Sequence, residues 1–372
     1  MKIIIVGTAF PYRGGLSAFN ERLAKEYVCQ GYEVEIYTFT LQYPSFLFPG
    51  KSQFSDETPN HNLKICRRIN SVNPSNWVSV GKEIKTKKPD KVIFCYWMAF
   101  FAPCFGTIAR QCKSEETTRV ALIHNMIPHE PTILDKLFPK YFVSAMDGFV
   151  AMTKSVVDDI NKLDEKDKPK RVLPHPIYDH YGVPAGRDEA LKKLDLDSDF
   201  RYILFFGFIR KYKGLDLLLN AFADVRLRRF PVKLIVAGEF YDAKESYLEI
   251  IRRKSLENTV ILHSDFIPDE QVQYYFNAVD LVAQTYHSAT QSGVSQIAYN
   301  FEKPMLVTDV GGLSETVPDG KVGYVVAVDE KAVADALVDF FANNRLEQFT
   351  ENVRLEKKKY EWSRMVEALN SI

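Results

Sequence analysis

YILFFGFIRKYKGLDLLL, residues 202–219, joins an apolar run, a glycine, a basic cluster, a second glycine and a leucine-rich run. The run Tyr202–Phe208 reads as a strand, and the leucines after Gly214 read as a helix over about residues 215–228. Working outward, the same alternation recurs. Val232–Ala237, Val260–His263, Leu281–Gln284, Met305–Thr308 and Gly323–Ala327 read as later strands. Upstream, Lys2–Val6 is a strand followed by a glycine-bearing loop and a helix over about Ser17–Gln30. Val34–Phe39, Leu63–Ile69, Lys91–Tyr96, Arg119–His124 and Gly148–Met152 extend that series. Strand and helix in alternation imply parallel strands with crossover helices.

The charged stretch Asn161–Pro169 and the proline-bearing segment Val172–Pro184 interrupt the pattern. They predict two doubly wound, Rossmann-like domains around a linker near residues 173–197. The first spans residues 1–172, joined by a C-terminal helix within 358–372, and the second spans 173–357. At 372 residues and 46% apolar composition, each half has enough material for its own core. Lysine plus arginine equals aspartate plus glutamate at 48 each, which argues against a general nucleic-acid binder. The opening MKIIIVG is a strand's length and ends in glycine, so it is not read as a signal peptide. No uninterrupted apolar run reaches the roughly 18–20 residues of a membrane span. The five cysteines are odd in number and form no Cys-x-x-Cys pair, which fits free thiols in a reducing cytoplasm and speaks against a metal cluster.

Ligands of open parallel sheets bind at the carboxyl ends of the strands, so the loops there are where chemistry is expected. Gly14-Gly15 stands directly before the first helix, where bare backbone favours a closely approaching anionic group. In the second half a strand ends at Gly207, and Arg210, Lys211 and Lys213 precede Gly214 and a helix. A basic cluster there suits a diphosphate, which Arg binds bidentately and Lys as a point charge. After Leu281–Gln284 a polar loop leads to a helix starting near Gln291-Ser292-Gly293 and continuing through Val294, with first-turn amides free for phosphate or sugar oxygens. His124 ends a strand in the first half, and His129-Glu130 follows on the same loop as a candidate for acceptor contact. The aromatic loop Leu41–Phe54 is a candidate acceptor wall or membrane contact, whereas Phe94–Phe105 reads as buried strand and helix. Asp195-Leu196-Asp197 lies in the acidic linker and reads as solvation or capping rather than as a metal site.

The ordered set Gly14-Gly15, Gly207 through Lys213-Gly214, the loop and helix of residues 286–301, Lys303-Pro304, and Thr308-Asp309-Val310-Gly311-Gly312 with Glu315 resembles the family 4 retaining glycosyltransferases. The resemblance spans nearly the whole chain. It implies a GT-B fold, with two Rossmann-like domains facing across a cleft. It also implies a nucleotide-sugar donor with its diphosphate near Lys213, a strand-end histidine (His124) reaching the transferred sugar, backbone recognition of the base near Phe266, and no metal and no cofactor beyond the substrate. Family members carry two glutamates eight positions apart at the helix start. The register here gives Ser288 and Gln296, or Ala289 and Ile297, so no acid stands at either place. The arginine that follows the strand-end glycine in the family is Phe208 here, with Arg210 as the candidate replacement.

The resulting expectation is retaining, metal-independent transfer of a sugar onto a glycan or lipid-linked glycan. The catalytic set is His124, Arg210 and Lys213. The donor is held by Gly14, Gly15, Gly207, Phe266, Ser288, Gln291, Ser292, Gly293, Val294, Gln296 and Glu315. Family habit adds polysaccharide or lipopolysaccharide biosynthesis, in the cytoplasm or at the cytoplasmic face of the inner membrane, without nucleic-acid partners. Two other readings stay open: a non-catalytic glycosyltransferase-like subunit, prompted by the missing glutamates, and a nucleotide-sugar epimerase of the same fold.

Overall fold

The computed structural model describes residues 1–44, 53–54, 62–126, 134–289 and 292–372. Two compact units divide the chain at His175/Pro176 rather than at 172/173. The first is Met1–His175 with Trp362–Ile372, and the second is Pro176–Glu361.

The first unit is a parallel sheet wrapped by helices. In chain order it runs β1 (Lys2–Val6), α1 (Gly15–Cys29), β2 (Glu33–Leu41), β3 (Lys64–Asn70), α2 (Pro74–Thr86), β4 (Lys91–Tyr96), α3 (Ala102–Gln111), β5 (Thr118–Ile123), α4 (Leu134–Val143), β6 (Gly148–Ala151), α5 (Lys154–Leu163) and β7 (Lys170–Val172). The strand order is β3-β2-β1-β4-β5-β6-β7, with every pair parallel. β1, β4 and β5 are apolar on both faces because helices cover both sides, the signature of a doubly wound sheet. β7 went unread in the sequence because its three residues, Lys-Arg-Val, are mostly exposed and carry no apolar period.

The second unit contains α6 (Arg187–Lys193), β8 (Arg201–Phe206), α7 (Leu215–Phe222), β9 (Val232–Ala237), α8 (Lys244–Arg253), β10 (Val260–His263), α9 (Asp269–Ala278), β11 (Leu281–Gln284), α10 (Gly293–Asn300), β12 (Met305–Thr308), α11 (Leu313–Thr316), β13 (Gly323–Val326), α12 (Glu330–Ala342) and α13 (Leu346–Lys357). Its strand order, β10-β9-β8-β11-β12-β13, is again parallel throughout. The order reverses between β8 and β11, and this switch point opens a crevice at the carboxyl ends of those two strands. The helix expected to reach Arg228 stops at Phe222. Asp224 accepts a bond from the Arg226 amide at 2.9 Å and diverts the chain into a 3₁₀ turn over Val225–Arg229. α6 lies inside the expected linker.

The chain ends in α14 (Trp362–Asn370), which belongs to the first unit. Its Met365, Val366 and Leu369 are buried. The buried ammonium of Lys91 donates to the Leu369 carbonyl at 2.6 Å, satisfying a helix C-terminus with a cation. A Cβ added at Gly148 would sit 2.4 Å from Ile372 Cγ2, so the β6 backbone and the chain end pack without room for a side chain. Among the described residues no helix is long and apolar enough to cross a membrane.

Candidate functional site

The second unit's switch point is assembled by two close backbone approaches. Gly207 follows β8 with φ of 94°, and a Cβ on Gly238, the residue after β9, would lie 2.2 Å from the Gly207 carbonyl oxygen. The loop then turns at Gly214, whose φ is 64° and whose Cβ would meet the Thr285 carbonyl oxygen at 1.9 Å. Only glycine satisfies both demands at Gly214. The loop after β11 is stitched to the same turn: Thr285 Oγ1 donates to the Gly214 carbonyl at 2.8 Å, and the His287 amide donates to Tyr212 O at 2.7 Å. The His287 ring lies 3.0 Å from a carboxylate oxygen of Asp216 in the first turn of α7. At the far end, the Lys211 amide donates to the Asp242 carboxylate.

These loops enclose a cavity of about 640 Å³ in the second unit. Gly207, Lys213, Ser288, Ser292, Gly293 and Val294, all expected at the donor, line it together. A Cβ on Gly207 would lie 3.1 Å from Lys213 Nζ, so the ammonium stands directly over the strand-end glycine. Burial pushes the Lys213 pKa down to about 8, and the neighbouring Arg210 guanidinium adds to the effect. Ser292 is the N-cap of α10; its hydroxyl accepts from the Val294 amide at 3.3 Å and lies 3.1 Å from the Tyr286 hydroxyl.

Other expected residues sit elsewhere. Arg210 is outside the lining, with its guanidinium 4.8 Å from the Tyr241 ring centroid, although its charge reaches Lys213. Phe266 is exposed and stacks on Phe208 at 6.5 Å, beyond the lining residues. Glu315 is exposed in α11 and does not line the cavity. Gln291 lies outside the described residues, as do His129-Glu130 and most of the Leu41–Phe54 loop. Gln296 does not line the cavity. The cavity face of α10 carries Gly293, Val294 and Ile297, and Gln296 is turned about 100° away from Ile297 by the helical step. Its side chain is buried, with Oε1 lacking a hydrogen-bond partner among the described residues. Of the two registers eight apart, Ala289 and Ile297 both line the cavity. In the aromatic part of the wall, Tyr178, Tyr181, Phe206, Tyr212 and Tyr286 were not singled out in the sequence, and Phe208 was noted only as standing where the family has an arginine.

In the first unit, Gly14 is the N-cap of α1 with φ of 110°, and Gly15 begins the helix. A Cβ on either would meet nothing within 4 Å, so the backbone there is open. His124 follows β5, with its amide bonded to Tyr96 O at 2.9 Å. Phe19 meets the His124 ring edge-to-face at 4.8 Å. The His124 Nε2 is buried with no hydrogen-bond partner among the described residues, and burial, with a smaller push from His175, lowers the ring's pKa to about 3. The imidazole is therefore neutral near pH 7.

Residues 200–343, most of the second unit, match the family model of the group 1 glycosyl transferases. The second unit is therefore similar to a group 1 glycosyl transferase domain. An uncharacterized glycosyltransferase of Methanocaldococcus jannaschii is 24% identical across all of this chain and 97% of its own length. A lipopolysaccharide 1,2-N-acetylglucosaminetransferase of Salmonella typhimurium is 28% identical over 49% of the chain and 50% of that protein. Among solved structures, Anabaena HepE in complex with UDP superposes with a TM-score of 0.67 at 15% identity, covering both chains fully. The two parallel sheets and this likeness make the architecture the two-domain GT-B fold. Glycosyl transfer is the reaction class of the matched family model.

Proposed function

We propose that the chain is a retaining glycosyltransferase that moves a sugar from a nucleotide-sugar donor onto a glycan or lipid-linked glycan, without a metal ion or other cofactor. Lys213 carries this reading. It is a half-buried ammonium over Gly207 with no carboxylate partner among the described residues, and burial and Arg210 both act to discharge it. A diphosphate in the cavity favours its charged form, and Lys213 in turn stabilises negative charge as it develops on the leaving nucleotide. The first turn of α10 and the positive field of Arg210 act in the same direction. His124, neutral at working pH, is the first unit's candidate for orienting the sugar rather than for exchanging a proton. The leaving phosphate takes the acceptor's proton, so the scheme needs no side-chain base. Retention and metal independence rest on the resemblance to the retaining family, and the acceptor class on relatives such as the Salmonella enzyme.

The test is incubation of the purified protein with UDP- and GDP-sugars and lipid-linked oligosaccharide, with and without EDTA. The product's anomeric configuration is read by NMR. Retained configuration, unaffected by EDTA, is expected; inversion or loss of product with EDTA contradicts the proposal. Nucleotide binding without any product would favour a non-catalytic role, the reading prompted by the absence of acidic residues from Thr285 to Phe301.

A further inference from the structure

A separate recess of about 390 Å³ lies in the first unit at the amino ends of β5 and β6, the end of the sheet opposite His124. Its volume falls in the range of about 300–1,000 Å³ usual for small-molecule sites. Five cationic side chains line it (Arg110, Lys113, Arg119, Lys166 and Lys168), against one carboxylate, Asp147, among the described residues. Three of the five have structural partners. Arg119 Nε donates to the Asp147 carboxylate at 2.9 Å. Lys168 donates to the Val143 carbonyl at 2.7 Å, at the end of α4, and lies 3.4 Å from Asp164. Arg110 donates to the Gly106 and Tyr141 carbonyls at 2.8 Å each and to Ser144 Oγ at 2.7 Å, with no carboxylate partner among the described residues. Lys113 and Lys166 are exposed, and neither ammonium has an ion pair or hydrogen bond among the described residues.

The turn that carries two of these lysines is braced. Asp164 accepts from the Lys166 amide at 3.3 Å and from the Lys168 amide at 2.8 Å. Burial, aided by repulsion from Lys166, lowers the Lys168 pKa against the opposing pull of Asp164. The two lysines thus share one positive field, and an anion placed in it relieves their repulsion. Arg110, Lys113 and Lys166 together exceed what a single carboxylate on a ligand neutralises. A phosphate monoester carries about −1.5 to −2 charge at pH 7 and three acceptor oxygens, and it suits an arginine fork flanked by lysine point charges. We propose that this recess binds a phosphorylated ligand, with Lys113 and Lys166 holding the phosphate. Either a free ester or a lipid headgroup carries such a phosphate. The inference does not depend on the second-unit cavity being the donor site.

The experiment is done in the Lys213→Ala protein, so that the second unit's ammonium does not compete for the probe. Calorimetry at low salt measures the affinity for inorganic pyrophosphate. Sedimentation measures binding to phosphatidylcholine vesicles with and without phosphatidate. Adding Lys113→Ala and Lys166→Ala together should weaken binding by about 10- to 25-fold, at up to about fivefold for each exposed ion pair. Both side chains are exposed, and equal unfolding midpoints for the two proteins show that the loss is not a loss of fold. Pyrophosphate binding without vesicle binding, lost in the triple variant, supports the proposal and assigns a free ester. Sedimentation only with phosphatidate, lost in the same variant, supports it and assigns a lipid headgroup. Absence of binding to both probes, or binding that the two lysine substitutions leave unchanged, overturns the inference.

Discussion

Each unit places a glycine-bearing loop after its first strand, and the two loops are built in opposite ways. In the second unit the glycines are imposed by packing, because side chains at Gly214 or Gly238 would collide with carbonyl oxygens at 1.9 and 2.2 Å. In the first unit, Gly14 and Gly15 face open space, and side chains brace the loop instead. Glu21 accepts from the Phe10 amide at 2.8 Å, and Asn20 donates to the Thr8 carbonyl at 2.8 Å. The second loop carries Arg210 and Lys213, while the first unit's strand-end candidate, His124, is neutral. One architecture thus yields a rigid cationic cradle in one unit and uncharged, accessible backbone in the other. The cradle holds its amides and ammonium in place before any ligand arrives, which is what electrostatic stabilisation of a polyanion requires.

The sharpest way to break this contrast is to remove the charge. Lys213→Ala should lower turnover by about 10²- to 10³-fold, the scale seen when one preorganised donor to a developing anion is lost. Near-normal turnover would place the diphosphate elsewhere. The next effect is on folding. Gly214→Ala should cost about 3 kcal/mol or more, combining a left-handed backbone with a carbonyl clash. Gly15→Ala, in open space at a helix start, should stay within about 1 kcal/mol of wild type. Equal losses in thermal or denaturant unfolding would erase the distinction between the loops. The smallest effect concerns the brace. His287→Ala releases the loop after β11 from Asp216 and should weaken nucleotide binding by a few-fold, on the scale of one partly exposed hydrogen bond. No change in affinity would show that the backbone bonds at Thr285 and His287 suffice.

Much of this was legible in the sequence. Buried strands announced themselves as apolar runs, and Lys213 stood out because it lies between a strand-end glycine and a helix-start glycine. What stayed hidden has physical causes. Spacing alone allowed the pair eight apart to be Ser288 and Gln296 or Ala289 and Ile297, and only the rotation of α10 about its axis decides which face meets the cavity. Tyr178 and Tyr181 come from a turn around Asp179–Tyr181, where no periodicity marks a direction. Arg210 matched the expected charge, but its position over Tyr241 depends on a loop geometry that no local pattern encodes.

The central claim is that Lys213 awaits an anion, and titrating nucleotide affinity against pH tests it most directly. The ordinary lysine pKa of 10.5 is lowered to about 8 in the empty site. Charging Lys213 is therefore a cost that the folded protein bears below pH 8 and escapes as pH rises. A bound diphosphate favours the charged form, so the pKa rises on binding. Affinity for UDP or GDP should then be level between about pH 7 and 8. Above pH 8 it should weaken by up to about tenfold per unit, the limit for one linked proton. In Lys213→Ala that limb should vanish and affinity should be weak throughout. An identical pH profile in the two proteins would contradict the assignment of Lys213 as the diphosphate's partner.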